Sequence, residues 1–173
     1  MSAPTTVAPT TDEAPETMEA ETEAAVTSSS PAPTLSAQEQ DEADIEDTLQ
    51  AYNTALGHAV VGEGSVEGIY PYSRDTAREQ WVTQVMANEA QGITFSGSST
   101  LNVLEVSIDG DTAEAVACAD VSGVEAVDSN GDSYITEDRL DQTLNDFVLE
   151  RDDSAELGWY VVEDTNRNEP CEG

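Results

Sequence analysis

Lysine does not occur in this chain of 173 residues, and histidine occurs once, at position 58. Five arginines face 37 acidic residues, for a formal net charge of −32. A surface so acidic repels phosphate backbones and anionic bilayers, so no nucleic acid partner is expected, and cationic or basic partners are favoured. Self-repulsion at this charge also weakens the compact state, and salt relieves it. Long apolar runs are missing too. Nothing approaches the roughly 20 residues of a membrane span, so no transmembrane segment is expected. Met1 to Thr6 has neither the basic stretch nor the apolar core of a signal peptide. Two expectations stay open from this: a cytoplasmic protein, or a mature chain whose export signal has been removed. The sequence contains no Gly-rich phosphate loop, no Gly-x-Ser-x-Gly elbow and no Cys-x-x-Cys pair. One histidine and two cysteines are too few for an ordinary zinc site. No cofactor is expected.

What is present divides the chain at about residue 39. Residues 1–39 are Ala, Pro, Thr, Ser and Glu with few large apolar side chains. Such a segment cannot bury enough surface to offset about 1–2 kcal/mol of backbone entropy per residue. It is expected to be a disordered acidic tail or stalk. Residues 40–173 are expected to form one α+β domain. Ile45, Leu49, Tyr52, Leu56 and Ala59 recur at helical spacing, and acidic residues crowd the first turns, where the helix dipole favours them. A second helix is expected after Ile69 to Tyr72, with Thr76 and Glu79 as a capping box, or Ser73 or Asp75 as cap. Its buried stripe is expected at Ala77, Trp81 and Val85 with Val82 and Met86, and Gly92 should stop it.

From Thr94 the period changes to two, and four to six antiparallel strands are expected. Asp109-Gly110-Asp111 and Asn130-Gly131 read as hairpin turns, the second of type I′. Thr143 to Arg151 alternates through Asn145, Phe147 and Leu149. Near the end, Trp159 and Val161 are expected on one face, Tyr160 and Val162 on the other. Cys118 and Cys171 lie at the two ends of this region. They read as a disulfide staple, which would persist only in an oxidising compartment, or else as two unrelated thiols.

Several segments resemble small exported lipoproteins of actinobacteria that carry a nuclear-transport-factor-like, cystatin-like α+β cone. They are Val106 to Ala113, Ala117 to Asp120, Phe147 to Arg151, and Gly158 to Val162 with Pro170-Cys171. The resemblance covers roughly residues 41–172. It implies N-terminal helices packed on a curved antiparallel sheet, an envelope location and the Cys118–Cys171 bond. It implies no activity, because this cone serves many functions. The chain lacks the signal and the lipidated cysteine of that pattern, so a lipid anchor would lie upstream of the given N-terminus.

Candidate sites carry competing structural readings. Asp128, Asn130 and Asp132 match the first oxygen ligands of a calcium loop, but Ser133 replaces the required glycine and Arg139 the closing glutamate. The same residues are explained by a hairpin. His58, with Asp120 and Tyr52, forms a possible proton-transfer set, although a histidine near a helix C-terminus commonly serves the terminal carbonyls. Tyr52, Trp81 and Trp159, with Tyr70-Pro71-Tyr72, either line a ligand pocket or plug the cone. The leading expectation is a non-enzymatic, exported binding domain on a flexible acidic stalk. Its partner would be a protein or a small hydrophobic ligand in the extracellular space or cell envelope. The alternative is a cone enzyme that transfers protons on a hydrophobic small molecule.

Overall fold

The computed structural model describes residues 35–171. The expected tail lies almost wholly outside them. Helix α1 spans Ala37–Val60, starting three residues ahead of the expected onset. Its start is fixed by a capping box that the compositional reading had assigned to the tail. The Glu39 N–H donates to the Ser36 hydroxyl at 3.3 Å, and the Ser36 N–H donates to the Glu39 carboxylate at 2.8 Å. The expected apolar face is the buried one: Ile45, Leu49, Tyr52, Leu56 and Ala59 all turn inward. After a short 3₁₀ turn at Val66–Ile69, helix α2 spans Asp75–Gln91.

Helix α2 departs from expectation at both its cap and its stripe. Its N-cap is Arg74, and no side chain caps it, so Ser73, Asp75 and Thr76 do not serve there. Ser73 instead donates its buried hydroxyl to the Ile69 carbonyl. Ala77 and Val85 are buried, but the third buried position is Asn88, and Met86 is 61% exposed. The helix ends at Gly92 in the left-handed conformation, which a glycine adopts without a Cβ penalty.

Six strands follow: β1 (Thr94–Ser96), β2 (Thr100–Asp109), β3 (Thr112–Asp120), β4 (Glu125–Val127), β5 (Gln142–Arg151) and β6 (Trp159–Pro170). Strands β2, β3, β5 and β6 form one antiparallel sheet in that order, and β1 pairs with β4 in a small second sheet. The two helices pack on the inner face of the curved main sheet, which is the expected α+β cone. The Asn130-Gly131 turn differs from type I′. Only Gly131 has positive φ, and its N–H donates to the Asp128 carbonyl, a loop that ends in a left-handed glycine. Tyr134-Ile135 forms no strand opposite β4. Cys118 of β3 and Cys171, just past the end of β6, are joined, their Cα atoms 5.6 Å apart.

The inner face of the sheet changes character from one end to the other. Its first cross-strand row is Ala113, Leu149 and Val161, followed by Ala115, Phe147 and Asp164, then by Ala117, Asn145 and Asn166. A last pair joins Ala119 to Thr143. Over the apolar end, Ile45, Leu49, Ile69 and Trp159 pack solid. Each large side chain fully buried there contributes about 1.5–3 kcal/mol. Toward the other end the side chains become short or polar, and the interior opens.

Candidate functional site

The opening is a cavity of about 860 Å³ between the C-terminal half of α1, helix α2, the polar end of the sheet and the loops around β1 and β4. One wall is apolar, built from Leu56, Val60, Phe95, Leu101 and Ala119. Every inward position of β3 is an alanine, which leaves room beneath α1. The opposite wall is polar. Gln80, Gln84 and Asn88 repeat every four residues along α2 and face Asn145, Asp164 and Asn166. Gln80, Gln84, Asn166 and Asn168 are exposed, which marks the mouth, whereas Tyr52, Asn88 and Asp164 are buried within.

Asp164 is the centre of the polar wall. Its Oδ2 accepts from the Trp81 indole Nε1 at 2.8 Å and from the Tyr52 hydroxyl at 3.2 Å. Its Oδ1 accepts from the Asn145 side-chain amide at 3.2 Å. The Gln80 amide holds the Asp164 backbone carbonyl at 2.8 Å. Burial pushes the Asp164 carboxyl above its ordinary pKa, although the three donors oppose that shift. Burial, reinforced by the neighbouring Asp164 charge, raises Tyr52 as well. Among the described residues, the ionisable groups of the lining are Tyr52, Asp164, Asp138 and Arg139.

The proposed proton-transfer set does not assemble. Tyr52 lines the cavity. His58, two residues past the inward Leu56, is exposed and outside it, while its carbonyl accepts from the Glu63 and Gly64 N–H groups. Asp120 falls on the outer phase of β3. It caps its own turn, accepting from the Ser122 N–H and hydroxyl and from Gln142, and these bonds, with Ser122 foremost, hold it down to about 2.

Among the aromatics, Trp81 lines the cavity but Trp159 does not. Trp159 is 1% exposed in the solid end, beneath the Arg151 guanidinium at 4.3 Å. Tyr70 stacks on Arg78 at the surface, and Tyr72 packs against the core. The calcium-loop candidate Asp128 turns its carboxylate onto its own loop, accepting from the N–H groups of Asn130 and Asp132 at 2.8 and 3.0 Å. Among the described residues, no three His, Cys, Asp or Glu side chains cluster as metal ligands. No described helix is long and apolar enough to cross a membrane.

Sequence reasoning missed Asp164 for a definable reason. Continued alternation from Trp159 and Val161 would put Glu163 inside and Asp164 outside. Opposite Val148 and Leu149 the register shifts: Leu149 pairs with Val161, but Val148 pairs with Glu163. Val162 is the extra residue of a β-bulge, and the bulge inverts the phase. Asn145 was legible as the polar member of the inward alternation Asn145, Phe147 and Leu149, whereas Asn88 lay outside the stripe expected for α2.

No protein-family model and no curated protein sequence matches this chain. Solved structures do. The intermembrane space region of the chloroplast protein ARC6 is similar at 14% identity, over 78% of this chain and 98% of that one, with a TM-score of 0.57. A nuclear transport factor 2 (NTF2-like) superfamily protein from Salmonella enterica is 15% identical over 78% of this chain and 93% of its own, with a TM-score of 0.48. An NTF2-like protein with a cystatin-like fold from Novosphingobium aromaticivorans is 17% identical over 73% and 82%, with a TM-score of 0.44. At 14% identity the likeness to the ARC6 region is one of fold alone.

Proposed function

We propose that this chain is the ligand-binding domain of an exported protein and takes a small, largely apolar molecule into the cone. The observation that carries this reading is the cavity of about 860 Å³, apolar on one wall and centred on a buried carboxylate on the other. That volume lies in the range of about 300–1,000 Å³ typical of small-molecule sites, as does the pairing of apolar walls with a few fixed polar groups. The Cys118–Cys171 bond supports an oxidising, extracellular or envelope location, and the residues ahead of Ser36 would serve as the stalk.

Titration with Nile red, a neutral dye that brightens in apolar surroundings, tests the reading. Saturable brightening is expected, and it should be abolished by Ala119→Trp, which fills the apolar wall. The variant's circular dichroism should stay that of the parent. A dye response that survives Ala119→Trp in a folded protein contradicts the proposal.

A second reading, proton transfer on such a ligand, is favoured by the Tyr52–Asp164 hydrogen bond inside the cavity. Its reactive pair would be Asp164 and Tyr52 in place of His58 and Asp120. A ligand recovered chemically unchanged after incubation favours binding over catalysis.

A further inference from the structure

We propose that the ligand carries a primary or secondary amine on an otherwise apolar body, with its ammonium seated against Asp164. The inference rests on the cavity reading just given and adds the chemistry of the head group.

Hydrogen-bonding capacity is the first argument. Tyr52 and Trp81 each own a single polar hydrogen, and both are already engaged by Asp164 Oδ2. Among the described residues, Oδ1 accepts only from Asn145, so this oxygen keeps an open acceptor position there. Nearby, the Gln80 and Gln84 amide nitrogens are turned to the Asp164 carbonyl and to Asn88 Oδ1, which leaves the two glutamine oxygens as acceptors. This wall suits a ligand rich in donors.

Charge is the second. Among the described residues, no cation pairs with Asp164. The one guanidinium of the lining, Arg139, donates to the Val124 carbonyl at 2.9 Å and pairs with Asp141 at 3.4 Å, beside the exposed Asp138. A buried carboxylate held by neutral donors is compensated by an ammonium in contact with it, and the low dielectric that makes its isolated charge costly also strengthens that pair attraction. The Trp81 and Tyr52 rings add faces that attract cations. A net charge of −32 raises the local concentration of cations and lowers that of anions.

The competing seat belongs to an anion. Arg139 Nε is buried without a hydrogen-bond partner among the described residues, so an anionic homologue is the necessary control.

Octylamine, octanol and octanoate share one chain and differ in head group. Each competes with Nile red bound to the full chain at pH 7.5. Octylamine is expected to displace the dye at a concentration at least tenfold below that of octanol, with octanoate weakest. In Asp164→Asn, which changes the net charge only from −32 to −31, the advantage of octylamine over octanol should shrink to within twofold. A preference set by the general field would survive that change. Should the variant not fold, the wild-type preference in 0.5 M NaCl decides. Exposed charges are screened within about 4 Å at that salt, whereas a buried contact keeps its preference.

Equal displacement by octylamine and octanol, or best displacement by octanoate, overturns the amine while leaving the cavity reading in place. An octylamine preference that persists in folded Asp164→Asn, or that vanishes in salt, overturns it too. Failure of Nile red to bind removes both readings.

Discussion

Asp164 concentrates the physics of the site in one side chain. Its carboxyl titrates above the ordinary 3.8 in the folded protein because it is buried. The native state therefore holds this proton to higher pH than the unfolded chain. Its contribution to stability is full below the unfolded pKa and is lost as pH rises through the folded one. Asparagine cannot titrate. Urea midpoints of Asp164→Asn relative to wild type should thus shift in the variant's favour as pH climbs from about 3 to 8; a flat or falling difference speaks against a raised carboxyl. Tyr52→Phe removes one donor from the same group and should cost about 1.5–3 kcal/mol in denaturant unfolding. No change would mean that the hydroxyl is not on Asp164. At this scale the sequence was only half informative. Asn145 stood out as a polar residue in an apolar alternation, whereas Asn88 fell outside the stripe expected for α2 and Asp164 looked like an ordinary acidic residue of an acidic chain.

Among elements, α1 was the most legible, because helical spacing of Ile45 through Ala59 is set locally. Its start was misjudged, since Ser36 and Glu39 have the composition of the tail and differ from it only in their spacing. Ser36→Ala should cost about 1 kcal/mol in a thermal or urea melt through loss of the cap. An unchanged melt would place the start of the helix elsewhere. Helix α2 was less legible because its inner face is polar over the cavity, where no core selects apolar residues. Strand β6 was legible as a strand but not in phase, because a bulge without glycine or proline is decided by pairing with β5. The β1–β4 rim gives another test. Gly97 has φ +86°, and a Cβ there would lie 1.9 Å from the Gly123 carbonyl oxygen. Gly97→Ala must strain or shift this rim and should destabilise by about 3 kcal/mol in a urea melt. A neutral effect would contradict the packing of the two small strands.

For the whole molecule, charge and the disulfide set the terms. Thirty-seven acidic residues against five arginines leave most carboxylates without a partner, so screening should relieve more repulsion than the attraction it removes from pairs such as Arg151–Asp41. Melting temperature should rise between 0.05 and 1 M NaCl; a fall would make the ion pairs dominant. Closing a separation of 53 residues contributes about 4 kcal/mol in the chain-entropy account, and Cys118→Ser with Cys171→Ser should lose about that much. The cone was legible from the order of helices and strands. The hollow was not, because its walls come from residues 52 to 168 and exist only when the sheet's polar end, the bulge and both helices meet. Two indole N–H groups report on that hollow. Trp81 donates into the cavity wall and Trp159 lies in the solid core, so a proton–nitrogen spectrum recorded during octylamine titration should move the Trp81 indole signal and leave that of Trp159 in place. If the Trp81 signal stays still while the ligand binds, the cone interior is not the binding site.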